Sequence, residues 1–248
     1  MSKKLTSRMR VFAGPNGSGK STIIKEIQKI VRTGTYINAD DIEKASKEKK
    51  FINLGDYELV STTEDFDSYL KQSTFLAKAL KEGFQIDITL SNNIIRIGKD
   101  TNSYEAALIS EYIRNLLLKK GETFSFETVM SHPSKLDLFK QAHDKGFKNY
   151  LYFISTESAD INVKRVEERV KKGGHPVNEQ KIRDRYIRSM NLMSEMIPYC
   201  HRCFLFDNSL ESGYRLIAEI VDGRTINIIT EEDIPVWIET YIFQKLGV

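Results

Sequence analysis

The sequence predicts an α/β fold: a mainly parallel central sheet flanked by helices, ending in a β-hairpin and a helix. Three observations predict it. A short apolar run, Met9 to Ala13, leads directly into a glycine-rich loop. Beyond the loop, Ile23, Ile24, Ile27, Ile30 and Val31 recur at helical spacing, and a second strand-like run follows at Thr35 to Asn38. The same alternation of apolar runs and amphipathic segments resumes after Asn102. Strand, glycine loop, helix and strand are the opening of a parallel sheet with crossover helices.

The later elements follow in order. Asp65 to Glu82 reads as one helix stopped by Gly83, and Phe84, Ile86, Ile88 and Leu90 alternate as a half-buried strand that Ser91-Asn92-Asn93 turns. Tyr104 to Lys120 carries a broad apolar helical face and stops at Gly121. Thr123 to Phe126 reads as a strand ending at Glu127. Ser134 is the expected N-cap of the next helix, with Asp137 as a box-like partner, and Gly146 ends it. Asn149 to Ile154 is a strand, Ala159 to Lys172 a charged helix, Gly173-Gly174-His175-Pro176 a break, and Glu179 to Met196 a further helix. Arg202 to Phe206 is a strand, Tyr214 to Val221 and Thr225 to Ile229 pair as a hairpin, and Pro235 to Leu246 is a closing helix. The expectation is one domain over 1–248, with 44–102 as an inserted, cap-like segment.

Composition narrows the class. The chain has 248 residues, enough for a sizeable core, and 37 − 34 = 3 excess positive charges. That balance does not call for nucleic acid, which needs clustered basic residues. The basic start, Met1 to Leu5, is followed by no apolar stretch of signal-peptide type, and no run reaches the roughly 18 residues of a spanning helix. A cytoplasmic protein without a membrane partner is expected. Cys200 and Cys203 form a lone C-x-x-C, read as two ordinary thiols rather than half of a zinc or redox site.

The loop Gly14-Pro15-Asn16-Gly17-Ser18-Gly19-Lys20-Ser21, with Thr22 after it, satisfies G-x-x-x-x-G-K-[ST] between a strand and a helix. This is a P-loop in the setting it requires. Its glycines let backbone N–H groups surround phosphates, Lys20 reaches the β- and γ-phosphates, and the Ser21 hydroxyl ligates Mg²⁺. The expected cofactors are therefore ATP or GTP, with Mg²⁺.

Two strand ends carry acids. Asp40 lies just after the second strand and is a candidate base for an alcohol acceptor; otherwise it caps the next helix. Glu127 ends the Thr123-Phe124-Ser125-Phe126 strand, where it either holds acceptor hydroxyls or a magnesium-bound water, or is a solvated loop acid. Arg165, Arg169, Arg183 and Arg185 flank the Gly173-Gly174 break, either as a lid that closes over a triphosphate or as a solvated helix face with i to i+4 charge pairs.

Together the stretches Gly14 to Thr22, Tyr36 to Ile42, Thr123 to Ser131, Arg165 to Pro176 with Arg183 to Tyr186 and Ser189, and Phe206 to Ser209 resemble the zeta toxin family of P-loop kinases, nearly end to end and in family order. The F-E-T and G-G-H-x-V elements are far more restrictive than the P-loop alone. The resemblance implies an ATP- or GTP-dependent kinase whose acceptor, in the family's toxins, is the sugar 3′-hydroxyl of UDP-N-acetylglucosamine. It implies that Asp40 is the base, and that Glu127, Thr128 and Ser131 belong to the substrate pocket. Arg169 and either Arg183 or Arg185 are then lid arginines, with Asp207 and Asn208 in a turn near the nucleotide base. It also brings an antitoxin protein into view as a partner. The 44–102 segment is longer than the family usually has and lies where the acceptor is expected. The alternatives are a nucleoside, nucleotide or polynucleotide 5′-hydroxyl kinase, or an NTPase switch or toxin acting mainly by binding a protein.

Overall fold

The structure, a computed structural model, describes residues 6–98, 102–230 and 232–246. The basic start Met1 to Leu5 and positions 99–101 of the 44–102 segment lie outside the described residues. The strands are β1 Arg8–Ala13, β2 Thr35–Ile37, β3 Phe51–Asn53, β4 Ile88–Ser91, β5 Ile94–Ile97, β6 Phe124–Thr128, β7 Lys148–Ser155, β8 Arg202–Asp207, β9 Arg215–Val221 and β10 Thr225–Ile228. The main helices are α1 Lys20–Ile30, α2 Ala39–Lys49, α3 Thr63–Gln72, α4 Thr74–Lys81, α5 Ser103–Lys120, α6 Ser134–Asp144, α7 Ala159–Lys171 and α8 Glu179–Met196. The fold is α/β, and the chain forms two compact units, Met1–Thr33 with Glu127–Val248, and Gly34–Phe126.

In the first unit β1, β7 and β8 are parallel, and β9 and β10 continue the sheet antiparallel, in the order β10-β9-β8-β7-β1. The parallel strands are apolar almost without interruption because both faces are covered. Val11, Ala13, Leu151, Phe153 and Leu205 share one face and are fully buried, and Trp237 packs on Phe153 at 6.1 Å between ring centroids. Burying each such large side chain contributes about 1.5–3 kcal/mol. On the other face Phe12, Tyr152 and Phe204 stack at 4.9 and 5.1 Å across three strands. The C-termini of these strands carry the P-loop and the turn after β8.

In the second unit β2 pairs parallel with β6, and β3, β5 and β4 form a small antiparallel sheet. The β4–β5 hairpin turns on Asn92 and Asn93, with φ of 50° and 62°, the left-handed pair a two-residue turn needs. α5 begins with a capping box, Asn102 with Glu105, and ends at Gly121.

Four element readings are corrected. The single helix over Asp65 to Glu82 is two. Ser73 takes extended backbone, ends α3, and caps α4 by accepting from Leu76 N–H, because a serine hydroxyl competes for backbone donors. Phe84 is not in a strand: its N–H bonds the Ala79 carbonyl and closes α4, so the ladder begins only at Ile88. Ser134 does not cap α6. Pro133 is already helical, and Ser134 N–H bonds His132 Nδ1 instead. The closing helix is mixed: α over Val236–Ile238, π over Glu239–Phe243, α over Gln244–Leu246.

Candidate functional site

The P-loop joins β1 to α1 in the first unit. α1 has no side-chain cap and no acid in its first turn, so no carboxylate of its own offsets the positive end of the helix. Gly17 and Gly19 hold φ of 79° and 91°, a left-handed conformation that Gly enters at little cost. Lys20, 8% exposed, donates from Nζ to the Gly14 and Pro15 carbonyls at 3.0 Å each and lies 3.9 Å from Glu127 Oε1. The lysine charge is thus placed at the loop with a half-buried acid beside it.

Glu127 stands at the C-terminal end of β6. Thr128 follows it, and its Oγ1 accepts from Met130 N–H at 3.0 Å while Met130 takes φ of 56°. Ser131 is half-buried next to that turn. Ser189 of α8 donates to the Val129 carbonyl at 2.5 Å, tying this turn to the helix.

α7 and α8 surround the crest of the loop. Asn162 of α7 donates to the Asn16 carbonyl at 2.5 Å, and Arg185 of α8 donates to Asn16 Oδ1 at 3.3 Å. Arg165 donates to the Asn208 carbonyl at 2.6 Å, and Asn208 Nδ2 donates to the Ser18 carbonyl at 2.9 Å. Tyr186 OH bonds the Thr156 carbonyl at 2.7 Å, and burial pushes this phenol well above its ordinary range. The apolar contact of Val163, Val166 and Ile182 holds the two helices together. A shallow basic depression of ≈ 510 Å³, lined by Arg165, Glu168, Arg169, Lys172, Gly173 and Gly174, runs from α7 to the glycine break.

The remaining expected residues are placed differently. Arg169 donates to the His175 carbonyl at 2.9 Å, so its guanidinium stitches the break itself. Arg183 is held by two carboxylates, Asp160 at 2.7 Å and Glu179 at 2.8 Å. Asp207 is buried and turned inward: it accepts from the Trp237 indole at 3.0 Å and from Ser209 Oγ at 2.7 Å, with Arg215 at 3.7 Å. Asp40 belongs to the second unit, in the first turn of α2. The cap there is Asn38, whose Oδ1 accepts from Asp40 N–H at 2.9 Å. The exposed Asp40 carboxylate therefore has no capping task.

Nothing in the sequence motifs marks Asn162. Its only signal is helical: Asn162, Arg165 and Arg169 fall at i, i+3 and i+7, one face of α7. Cys200 and Cys203 are free, buried thiols, and burial pushes both well above the ordinary thiol range. Among the described residues no group of His, Cys, Asp and Glu is arranged to hold a metal ion, and no helix is long and apolar enough to cross a membrane. The donor set suits Mg²⁺ arriving with phosphates: two exposed hydroxyls, Ser21 and Thr22, in the first turn of α1, of which Ser21 holds the motif position.

No family model matches the chain. It is 29% identical over 115 residues to the DNA mismatch repair protein MutS of Thermosipho melanesiensis, taking in 44% of this chain and 13% of that protein. It is 23% identical over 174 residues to MutS of Prochlorococcus marinus, 67% of this chain and 17% of that one. An uncharacterized protein of Haemophilus influenzae is 33% identical over 69 residues, 28% of this chain and 49% of that protein. The chain therefore spans under a fifth of either MutS and about half of the Haemophilus protein. Among solved structures it superimposes on the AvrRxo1-ORF1:AvrRxo1-ORF2 complex with sulphate ions at a TM-score of 0.50 and 13% identity, covering 92% of this chain and 62% of that one. It also superimposes on the PezAT chromosomal toxin–antitoxin system of Streptococcus pneumoniae at 0.46 and 12%, covering 98% and 80%. The first of these likenesses is one of fold.

Proposed function

We propose that this chain is a P-loop kinase that moves the γ-phosphoryl group of ATP or GTP to a hydroxyl group on a small molecule. The observation that carries the reading is Lys20, buried at the loop with its Nζ 3.9 Å from Glu127. A donor-side cation and an acid suited to an acceptor hydroxyl stand in one place, beside the uncapped start of α1. Mg²⁺, held by phosphate oxygens, water and the Ser21 hydroxyl, would offset the charge that develops on the phosphoryl group.

Within this reading Lys20 binds the β- and γ-phosphates, and Glu127, Thr128 and Ser131 orient the acceptor. Asp40 is the base that takes the hydroxyl proton, supported by an exposed carboxylate that Asn38 frees from capping. Of the two competing lid arginines we take Arg185, supported by its hydrogen bond to Asn16 of the loop. Asn208 contributes by holding the loop, and Asp207 by holding the turn that carries Asn208. The family resemblance makes UDP-N-acetylglucosamine the first acceptor to try.

The test is a transfer screen with γ-labelled ATP against UDP-sugars, nucleosides and short RNA ends. Label is expected on a hydroxyl of one small acceptor, and Lys20→Ala is expected to remove it. Label appearing only as inorganic phosphate with every acceptor would sink the kinase reading in favour of an NTPase. Label on RNA ends alone would move it to a polynucleotide kinase.

A further inference from the structure

We propose that Asn162 and Asn208 are positioning residues that set the two phosphate-facing peptides of the P-loop; this rests on the P-loop reading above. Asn162 is fully buried. Its Nδ2 donates to the Asn16 carbonyl at 2.5 Å, and its Oδ1 accepts from the Thr156 hydroxyl, which Ser158 O shares. A carbonyl can only accept, so the atom facing Asn16 O must be the amide nitrogen. Asn208 is fixed at three points: its N–H on Ser155 O at 2.8 Å, its carbonyl under Arg165 at 2.6 Å, and its Nδ2 on Ser18 O at 2.9 Å.

A trans peptide points its C=O and N–H in opposite directions. Holding Asn16 O against α7 therefore turns the Gly17 N–H away from α7. Holding Ser18 O against the β8 turn likewise turns the Gly19 N–H away from that turn. The two held peptides alternate along the loop, and each is followed by a left-handed glycine, the backbone pattern of an anion-binding nest. The same two asparagines abut the same two glycines. A Cβ on Gly17 would lie 2.7 Å from Asn162 O, and one on Gly19 would lie 2.2 Å from Asn208 Nδ2. The glycines let the asparagines close in, and the asparagines hold the peptides the glycines leave free to rotate. The donors are then in place before any phosphate arrives, which spares the ordering cost at binding.

The experiment measures tripolyphosphate and ATP binding by calorimetry for the wild type, Asn162→Leu, Asn208→Leu and Asn208→Gln. Leucine matches asparagine in shape, adds no charge, and lacks the donor. Each leucine variant is expected to weaken binding of both ligands by about tenfold, with circular dichroism showing a folded protein. Asn208→Gln, which keeps an amide donor, is expected to recover most of that loss. A folded leucine variant that binds tripolyphosphate like the wild type overturns the proposal, as does Asn208→Gln binding no better than Asn208→Leu. If Asn162→Leu does not fold, the half-buried Asn208 pair decides. A wild type that binds no tripolyphosphate would overturn the P-loop reading instead.

Discussion

Lys20 and the arginines around it show how the same charge takes different tasks by its partners. Lys20 is 8% exposed, yet its ammonium keeps two carbonyls and an acid within reach, so the cation is satisfied and poised rather than solvated. Arg183 and Arg185 are two residues apart in one helix and therefore point to different sides of it. The first pairs with Asp160 and Glu179, and the second donates a hydrogen bond to Asn16 of the P-loop. Arg185→Ala is expected to lower kcat about 10³-fold, the scale of an arginine that stabilises a transferring phosphoryl group, whereas Arg183→Ala leaves kcat within a few-fold. Steady-state rates of the two variants check this, and equal losses would remove the distinction. The same pair marks a limit of sequence reading: spacing names both arginines, and only their partners separate them.

At the scale of elements, the start of α2 holds a helix cap and, two residues on, the carboxylate proposed as the base. Asn38 caps the helix, and Asp40 sits in its first turn, where a carboxylate also suits the helix dipole. Asn38→Ala is expected to cost about 1 kcal/mol of stability by chemical denaturation, and Asn38→Ser to restore most of it. Asp40→Asn is expected to keep ATP binding and lose about 10²–10⁴-fold in transfer rate if the carboxylate is the base. An unchanged rate would leave Asp40 a helix-start acid only. The α7–α8 hairpin is the other element that bears on the proposed site. Asn162 and Arg185 tie it to Asn16 of the P-loop and Arg165 ties it to Asn208, while at its tip the N–H groups of Gly173 and Gly174 bond the Val170 and Arg169 carbonyls of α7 itself.

At the scale of the molecule, burial of weak acids sets an alkaline limit. Tyr69, Tyr112, Tyr152, Tyr186, Cys200 and Cys203 are all raised in the fold, chiefly by desolvation. Unfolded, the thiols titrate near 9.0 and the phenols near 10.0. A group raised by folding stabilises the native state fully below its unfolded value, and that contribution disappears as pH climbs toward the folded value. The Tm is therefore expected to hold from neutral pH to about 8.5 and to fall progressively above about 9. A Tm that stays level to pH 10.5 in scanning calorimetry would contradict this. Because the thiolate is the reactive form, both cysteines are also expected to resist thiol reagents at pH 8 until the chain is unfolded.

The sequence by itself determined the α/β class, the P-loop and its place between strand and helix, and the residues at the C-terminal ends of the strands. These follow from local rules: apolar period, glycine chemistry and strand-to-helix order. It also located Glu127 and the arginine-rich break, but not what each group faces. The break at Ser73, the withdrawal of Phe84 from its strand, and the loss of the cap at Ser134 were decided by which backbone donor found which acceptor. Local pattern does not rank those competing partners. Asn162, 146 residues from the loop carbonyl it holds, was decided only in three dimensions. Asp207 was likewise turned inward by Trp237, a residue 30 positions away. A hydrogen bond ties atoms that chain spacing leaves unrelated, so the wiring of the site, unlike its parts list, belongs to the tertiary structure.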